Sequence, residues 1–119
     1  MRFLSIIKSA ERGLTPPEAL ITAIGKMIQT SLQDGSLVQT GGLAGSAKGV
    51  RVRVAGKKLT VTDGPFAEAK EVIGGYAVLE APTREAAIAY TKAFMQLHQE
   101  HWPDWEGECE LRPIDFLAP

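Results

Sequence analysis

Two stretches of this chain carry apolar side chains on both faces of an extended strand, and no other feature constrains the fold as much. In Arg2-Phe3-Leu4-Ser5-Ile6-Ile7, strand alternation sends Phe3 and Ile7 to one side and Leu4 and Ile6 to the other. In the longer Val72–Ala81 stretch, Val72, Gly74, Tyr76 and Val78 share one face, and Ile73, Gly75, Ala77 and Leu79 share the other. A strand that is apolar on both sides must be covered on both sides. One layer of helices can cover only one of them.

The sequence supplies that layer. Thr15-Pro16-Pro17-Glu18 reads as a helix start, with Thr15 as N-cap, Pro16 at the first helical position and Glu18 closing a capping box. Leu20, Ile24, Met27, Ile28 and Leu32 then recur at helical spacing, and Asp34-Gly35 ends the helix through a left-handed cap. A second helix opens at Pro82-Thr83 with Thr83 as cap. Ala87, Tyr90, Ala93, Phe94 and Leu97 form its buried face, and Pro103 stops it after His101.

Further strands are expected at Leu37–Thr40 and at Glu108–Pro113, where Cys109 and Leu111 face in. Residues 50–54 and 58–62 alternate Val50, Val52, Val54 and Leu59, Val61 against Arg51, Arg53, Lys58, Thr60 and Thr62, a hairpin with one wet face. The order is β-α-β-(β-hairpin)-β-α-β. Without the hairpin it is βαββαβ, the ferredoxin-like α+β arrangement, with both helices on one face of an antiparallel sheet. The other face would expose an apolar patch of several hundred Å² in a monomer, about the limit that soluble monomers tolerate. Sheet-on-sheet packing in a two-fold homodimer is the economical cover.

Composition narrows the function classes. At 119 residues a single domain spanning 1–119 is expected. The longest apolar runs fall far short of the ~20 residues of a membrane helix, and no small-residue cleavage site follows MRFLSIIKS. With one cysteine, Cys109, the expected compartment is a reducing cytoplasm. A net charge of −1 implies no general affinity for nucleic acid. The charge is unevenly spread. Lys48, Arg51, Arg53, Lys57 and Lys58 form a basic middle, and Glu100, Asp104, Glu106, Glu108, Glu110 and Asp115 an acidic end. These read as two solvated faces or as surfaces that meet across a subunit contact.

The most distinctive string is Thr62-Asp63-Gly64-Pro65-Phe66-Ala67-Glu68-Ala69-Lys70-Glu71. Physically it is a tight turn out of the hairpin, with Phe66 as an anchor. Asp63 reads either as a cap for nearby amides or as a solvent-accessible acid in a pocket. His98 and His101 stand three apart on a helix, so they read as a favourable helix end, an acid/base pair or part of a metal site. No metal is expected: structural zinc sites usually have four ligands, and Cys109 with Glu100 or Asp104 would complete the set only by the chance of folding. The glycine loop at 41–49 has neither phosphate-binding spacing, and reads as a flexible turn or bulge. Trp102 and Trp105 flank Pro103 and read as packing residues. No Gly-x-Ser-x-Gly elbow occurs, and the acidic neighbours of Cys109 disfavour a reactive thiolate.

Asp63-Gly64-Pro65-Phe66-Ala67-Glu68, then Lys70-Glu71, then Gly74-Gly75-Tyr76 resembles the DGPF-type branch of the YCII-related family. Gly41-Gly42-Leu43, the Val50–Val54 strand and Glu110-Leu111-Arg112-Pro113 fit the same pattern, so the resemblance covers nearly the whole chain. Ala69 departs from it, where Thr is usual. The resemblance implies a ferredoxin-like subunit in a dimeric α+β barrel. Smaller members of the wider family pair a His near the first helix with an Asp. Here that region reads Pro17-Glu18-Ala19-Leu20, no His precedes residue 98, and His101-Trp102-Pro103 replaces the usual Asp-Pro.

Two functions are therefore expected to compete. One is a cofactor-free small-molecule binder or acid/base enzyme, with a sheet–helix cleft lined by Asp63, Phe66, Tyr76 and His98 or His101. The other is a regulatory or interaction module. Relatives resembling this chain are often encoded beside alternative sigma factors, which supports the second class by association.

Overall fold

The computed structural model describes residues 1–115. The C-terminal limit of the expected 1–119 domain lies outside them. In chain order the elements are β1 (Arg2–Ser9), α1 (Glu18–Asp34), β2 (Leu37–Gly42), a 3₁₀ turn at Ser46–Lys48, β3 (Val50–Ala55), β4 (Lys58–Asp63), β5 (Val72–Glu80), α2 (Arg84–His101) and β6 (Gly107–Pro113). The four strands β2-β5-β1-β6 form one antiparallel sheet, and β3-β4 form a separate two-stranded hairpin. The fold is α+β. With the hairpin set aside, the strand order and the two helices are those of a ferredoxin-like fold.

Register fixes which side chains meet the helices. Phe3 pairs with Leu79, Ser5 with Ala77 and Ile7 with Gly75, while Leu111 and Cys109 stand opposite Ser5 and Ile7. Phe3, Leu37, Leu79, Ala81 and Ala87 form the buried core, with Ile28, Tyr90 and Leu111 packed against it. Leu4, Ile6, Tyr76 and Val78 occupy the opposite face and are half-buried by their strand neighbours alone. Ion pairs edge that face: across strands, Lys8 Nζ lies 3.1 Å from Glu108 and 2.9 Å from Glu110, and within β6 Arg112 reaches Glu110 at 3.0 Å.

The helix ends show what local chemistry decided. Thr83 caps α2, its hydroxyl accepting from the Ala86 amide at 3.1 Å. Gly35 closes α1 at φ +83°, a left-handed conformation that costs glycine nothing. The expected Thr15 cap is not formed; α1 starts at Glu18 after an extended Pro17, with no side-chain cap. Proline disfavours helical geometry in the residue before it. Pro17 therefore keeps Pro16 out of the first helical position.

Three burial expectations are corrected. Leu32 is 51% exposed, and Ser31 takes the inward position. Its hydroxyl donates to the Met27 carbonyl and accepts from Tyr90, which leaves no buried polar atom unpaired. On α2, Ala93 is exposed, and the inward stripe runs through Ala87, Tyr90, Phe94 and the buried His98. The hairpin has two wet faces, not one. Val50, Val52, Val54, Leu59 and Val61 line one side of it and are 53–71% exposed. It turns through Gly56 and Lys57, both left-handed, as two-residue hairpins prefer. Its projection shows in the Cα radius of gyration, 16.1 Å, against about 13–14 Å for a compact chain of this length.

Candidate functional site

Between the sheet and the two helices lies a cavity of about 430 Å³. Its floor is the helix-facing side of the sheet, where Ser5, Ile7, Thr40 and Cys109 project; Ile24 and Met27 of α1 and Tyr90, Phe94 and His98 of α2 form the walls. Glycine at 74 and 75 keeps part of that floor low. The cavity is mainly apolar, with a few polar groups at fixed places.

His98 is the group best equipped for chemistry. It is 6% exposed. Its Nδ1 lies 3.1 Å from the Phe94 carbonyl oxygen, which can only accept, so the ring proton is assigned to Nδ1. Nε2 then carries the lone pair. It has no hydrogen-bond partner among the described residues and is not sealed from solvent. Burial lowers the imidazole pKa, partly opposed by the Phe94 hydrogen bond. At neutral pH His98 is therefore an uncharged acceptor. Phe94 packs edge-on against it at 4.9 Å and Trp105 tilts over it at 4.7 Å, which locks the ring.

The other polar groups are less basic. Burial pushes the Cys109 thiol up, and the Ser5 hydroxyl donates to its sulfur across 3.6 Å. A thiol of that kind stays protonated and is a poor nucleophile. Tyr90 donates to Ser31 at 2.8 Å, and burial raises its pKa as well.

A second cavity of about 460 Å³ adjoins the first and shares Ile7, Pro16, Gly74 and His98 with it. It opens among the β1–α1 connection, the loop after β2 and the turn between α2 and β6.

The structure keeps Tyr76 in the same cavity lining as His98 and disperses Asp63, Phe66 and His101. Asp63 ends β4 opposite Val50, is exposed, and lines neither cavity. It makes no side-chain hydrogen bond to a described residue. The turn's amides find other acceptors: the Ser46 hydroxyl accepts from the Phe66 amide at 3.1 Å and donates to Glu11, and the Gly49 carbonyl accepts from the Gly64 amide. Phe66 packs in the same turn, with the Arg51 guanidinium 3.9 Å above its ring and Glu68 paired to that arginine. Tyr76 lays its ring against Gly41 and is in the lining of the inner cavity, although its strand register is that of the face away from the helices. His101 stands 4.0 Å from Glu100 in a shallow groove beside Glu18 and Lys26. His98 and His101 therefore line different surfaces. Ser5, Ser31 and Thr40 were missed as lining or supporting groups. The available signal was a hydroxyl placed on an otherwise apolar strand or helix face.

A small ferredoxin-like α+β chain with an internal apolar cavity and one buried imidazole is the class of protein that fold and site define. A model of the YCII-related domain matches residues 1–99, most of the chain, and the chain belongs to that family. No curated protein matches it.

Proposed function

We propose that the chain binds a small, largely apolar molecule between its sheet and helices, with His98 Nε2 accepting the ligand's proton-bearing group. The observation that carries this is a buried imidazole with one unpartnered nitrogen, set in the wall of an apolar cavity of about 430 Å³. Ligand pockets commonly run from about 300 to 1,000 Å³ and combine apolar walls with few polar groups. A neutral imidazole held by a backbone carbonyl also suits proton abstraction from a bound C–H or O–H acid, with no cofactor required for the transfer.

A matched pair of probes tests it. In ¹H–¹⁵N spectra, p-cresol and toluene should both shift cavity amides saturably. The hydroxyl should make p-cresol about fivefold tighter, the worth of one ordinary hydrogen bond. His98→Phe should abolish that difference while keeping toluene binding. No saturable shift at the cavity with either probe would overturn the reading.

The exposed aliphatic side of the β3–β4 hairpin favours a second role as an interaction module. We propose that it acts within a cytoplasmic homodimer formed through the open sheet face, where Leu4, Ile6, Tyr76 and Val78 are only half covered.

A further inference from the structure

We propose that the ligand carries a protonated amine, held in the outer cavity while its apolar body occupies the inner one. The inference rests on the binding role given to the inner cavity and adds the chemical class of the ligand. Its basis is a row of aromatic rings that runs from one cavity into the other. Phe94 lines the inner cavity, His98 lines both, and Trp105 and Trp102 line the outer one. Successive ring centroids stand 4.9, 4.7 and 6.2 Å apart, and the two indoles are stacked. Trp105 is seated by Gly107, where any side chain would overlap its ring.

The outer cavity is also the charged one. Glu11, Asp104 and Glu106 line it against the single cation Arg12. Glu11 is held ionised: hydrogen bonds from the Ser46 hydroxyl and amide lower its pKa. Acidic residues near a surface mean little alone. Here they share the cavity lining with the indole rings of Trp102 and Trp105, a side-chain type that attracts cations through its face. They also adjoin His98, a 6% exposed side chain whose Nε2 has no partner among the described residues. A neutral imidazole does not repel a cation, whereas the carboxylates would repel an anionic head. The two cavities together therefore select a short amphipathic molecule with an apolar or aromatic body and a positive end.

Benzylamine, cationic at pH 7, and benzyl alcohol, its neutral counterpart, separate the possibilities. Trp102 and Trp105 are the chain's two tryptophans and both line the outer cavity, so indole fluorescence excited at wavelengths where tyrosine does not absorb responds to a ligand there. We expect benzylamine to bind at least about fivefold tighter than benzyl alcohol in low salt. It should change the indole fluorescence and shift inner-cavity amides such as Ile24 and Phe94 together. Asp104→Asn combined with Glu106→Gln, both at exposed positions, should at least halve the preference, Glu11 remaining, and leave the melting midpoint unchanged; an undiminished preference would overturn the role of these carboxylates. Equal binding of the two probes would overturn the amine selection, and so would an indole response without inner-cavity shifts. In either case p-cresol binding would still uphold the inner cavity as a site. If p-cresol also failed to bind, both readings would fall together.

Discussion

Gly64 and Asp63 are neighbours with opposite structural weight. A Cβ on Gly64 would overlap the Ser46 carbonyl oxygen, and the Gly64 amide donates to Gly49 at 2.9 Å. The backbone there leaves no room for a side chain. Gly64→Ala should destabilise the fold by about 1–3 kcal/mol, the usual cost of overpacking. Asp63→Ala should stay within about 0.5 kcal/mol of wild type, as exposed positions without partners do. Denaturant melting of the two variants checks both, and equal midpoints would contradict the contrast. His98 adds a pH dependence. Its folded pKa lies below the unfolded value of about 6.5, so the unfolded chain binds more protons in that window. Stability is then full above the unfolded pKa and declines as pH falls from there toward the folded value. His98→Gln should flatten that stretch of the curve. The carboxylates held down by hydrogen bonds, including Glu11 and Glu110, act at lower pH and should be unaffected.

The two helices start for different reasons, although their sequences look alike. Thr83 is extended at φ −141° and its hydroxyl reaches the Ala86 amide; Thr15 lies too far upstream of α1 to do the same. Thr83→Ala should therefore cost about 1 kcal/mol. Thr15→Ala should change the thermal midpoint little, and a comparable loss at both positions would show that Thr15 does cap the helix. The hairpin is the other element with an unmet requirement. Two-stranded hairpins are marginal alone in water. This one keeps its register through Val52–Val61 and Val54–Leu59 pairs while its Arg51 and Arg53 side faces the other way.

The described chain measures 45 × 42 × 20 Å, a slab with helices on one face of its main sheet. The other face and the hairpin leave apolar side chains uncovered. A two-fold dimer through that sheet face would bury Leu4, Ile6, Tyr76 and Val78 against their counterparts. Light scattering at micromolar concentration should give twice the chain mass, and Ile6→Lys should shift it toward the monomer. A wild-type monomer at that concentration would rule the arrangement out.

Alternation and capping chemistry made much of the fold legible without a structure. Phe3/Ile7 against Leu4/Ile6, the Gly35 cap, the Thr83 cap and the β-α-β-hairpin-β-α-β order are local, carried by periods of two or 3.6 residues and by turn chemistry. The DGPF string and its flanking glycines carried the family. Tertiary packing decided the rest, because a cavity is what remains between elements once they have docked. His98 was legible as a helix-end histidine, but its burial, its tautomer and its separation from His101 follow from where α2 lies on the sheet. Asp63 stood in the most distinctive motif, yet the turn's Phe66 and Gly64 amides are met by Ser46 and Gly49, brought close by the loop after β2. Tyr76 lies one register step from the helix-facing residues Gly75 and Ala77, yet it still borders the inner cavity, because β5 runs along that cavity's floor.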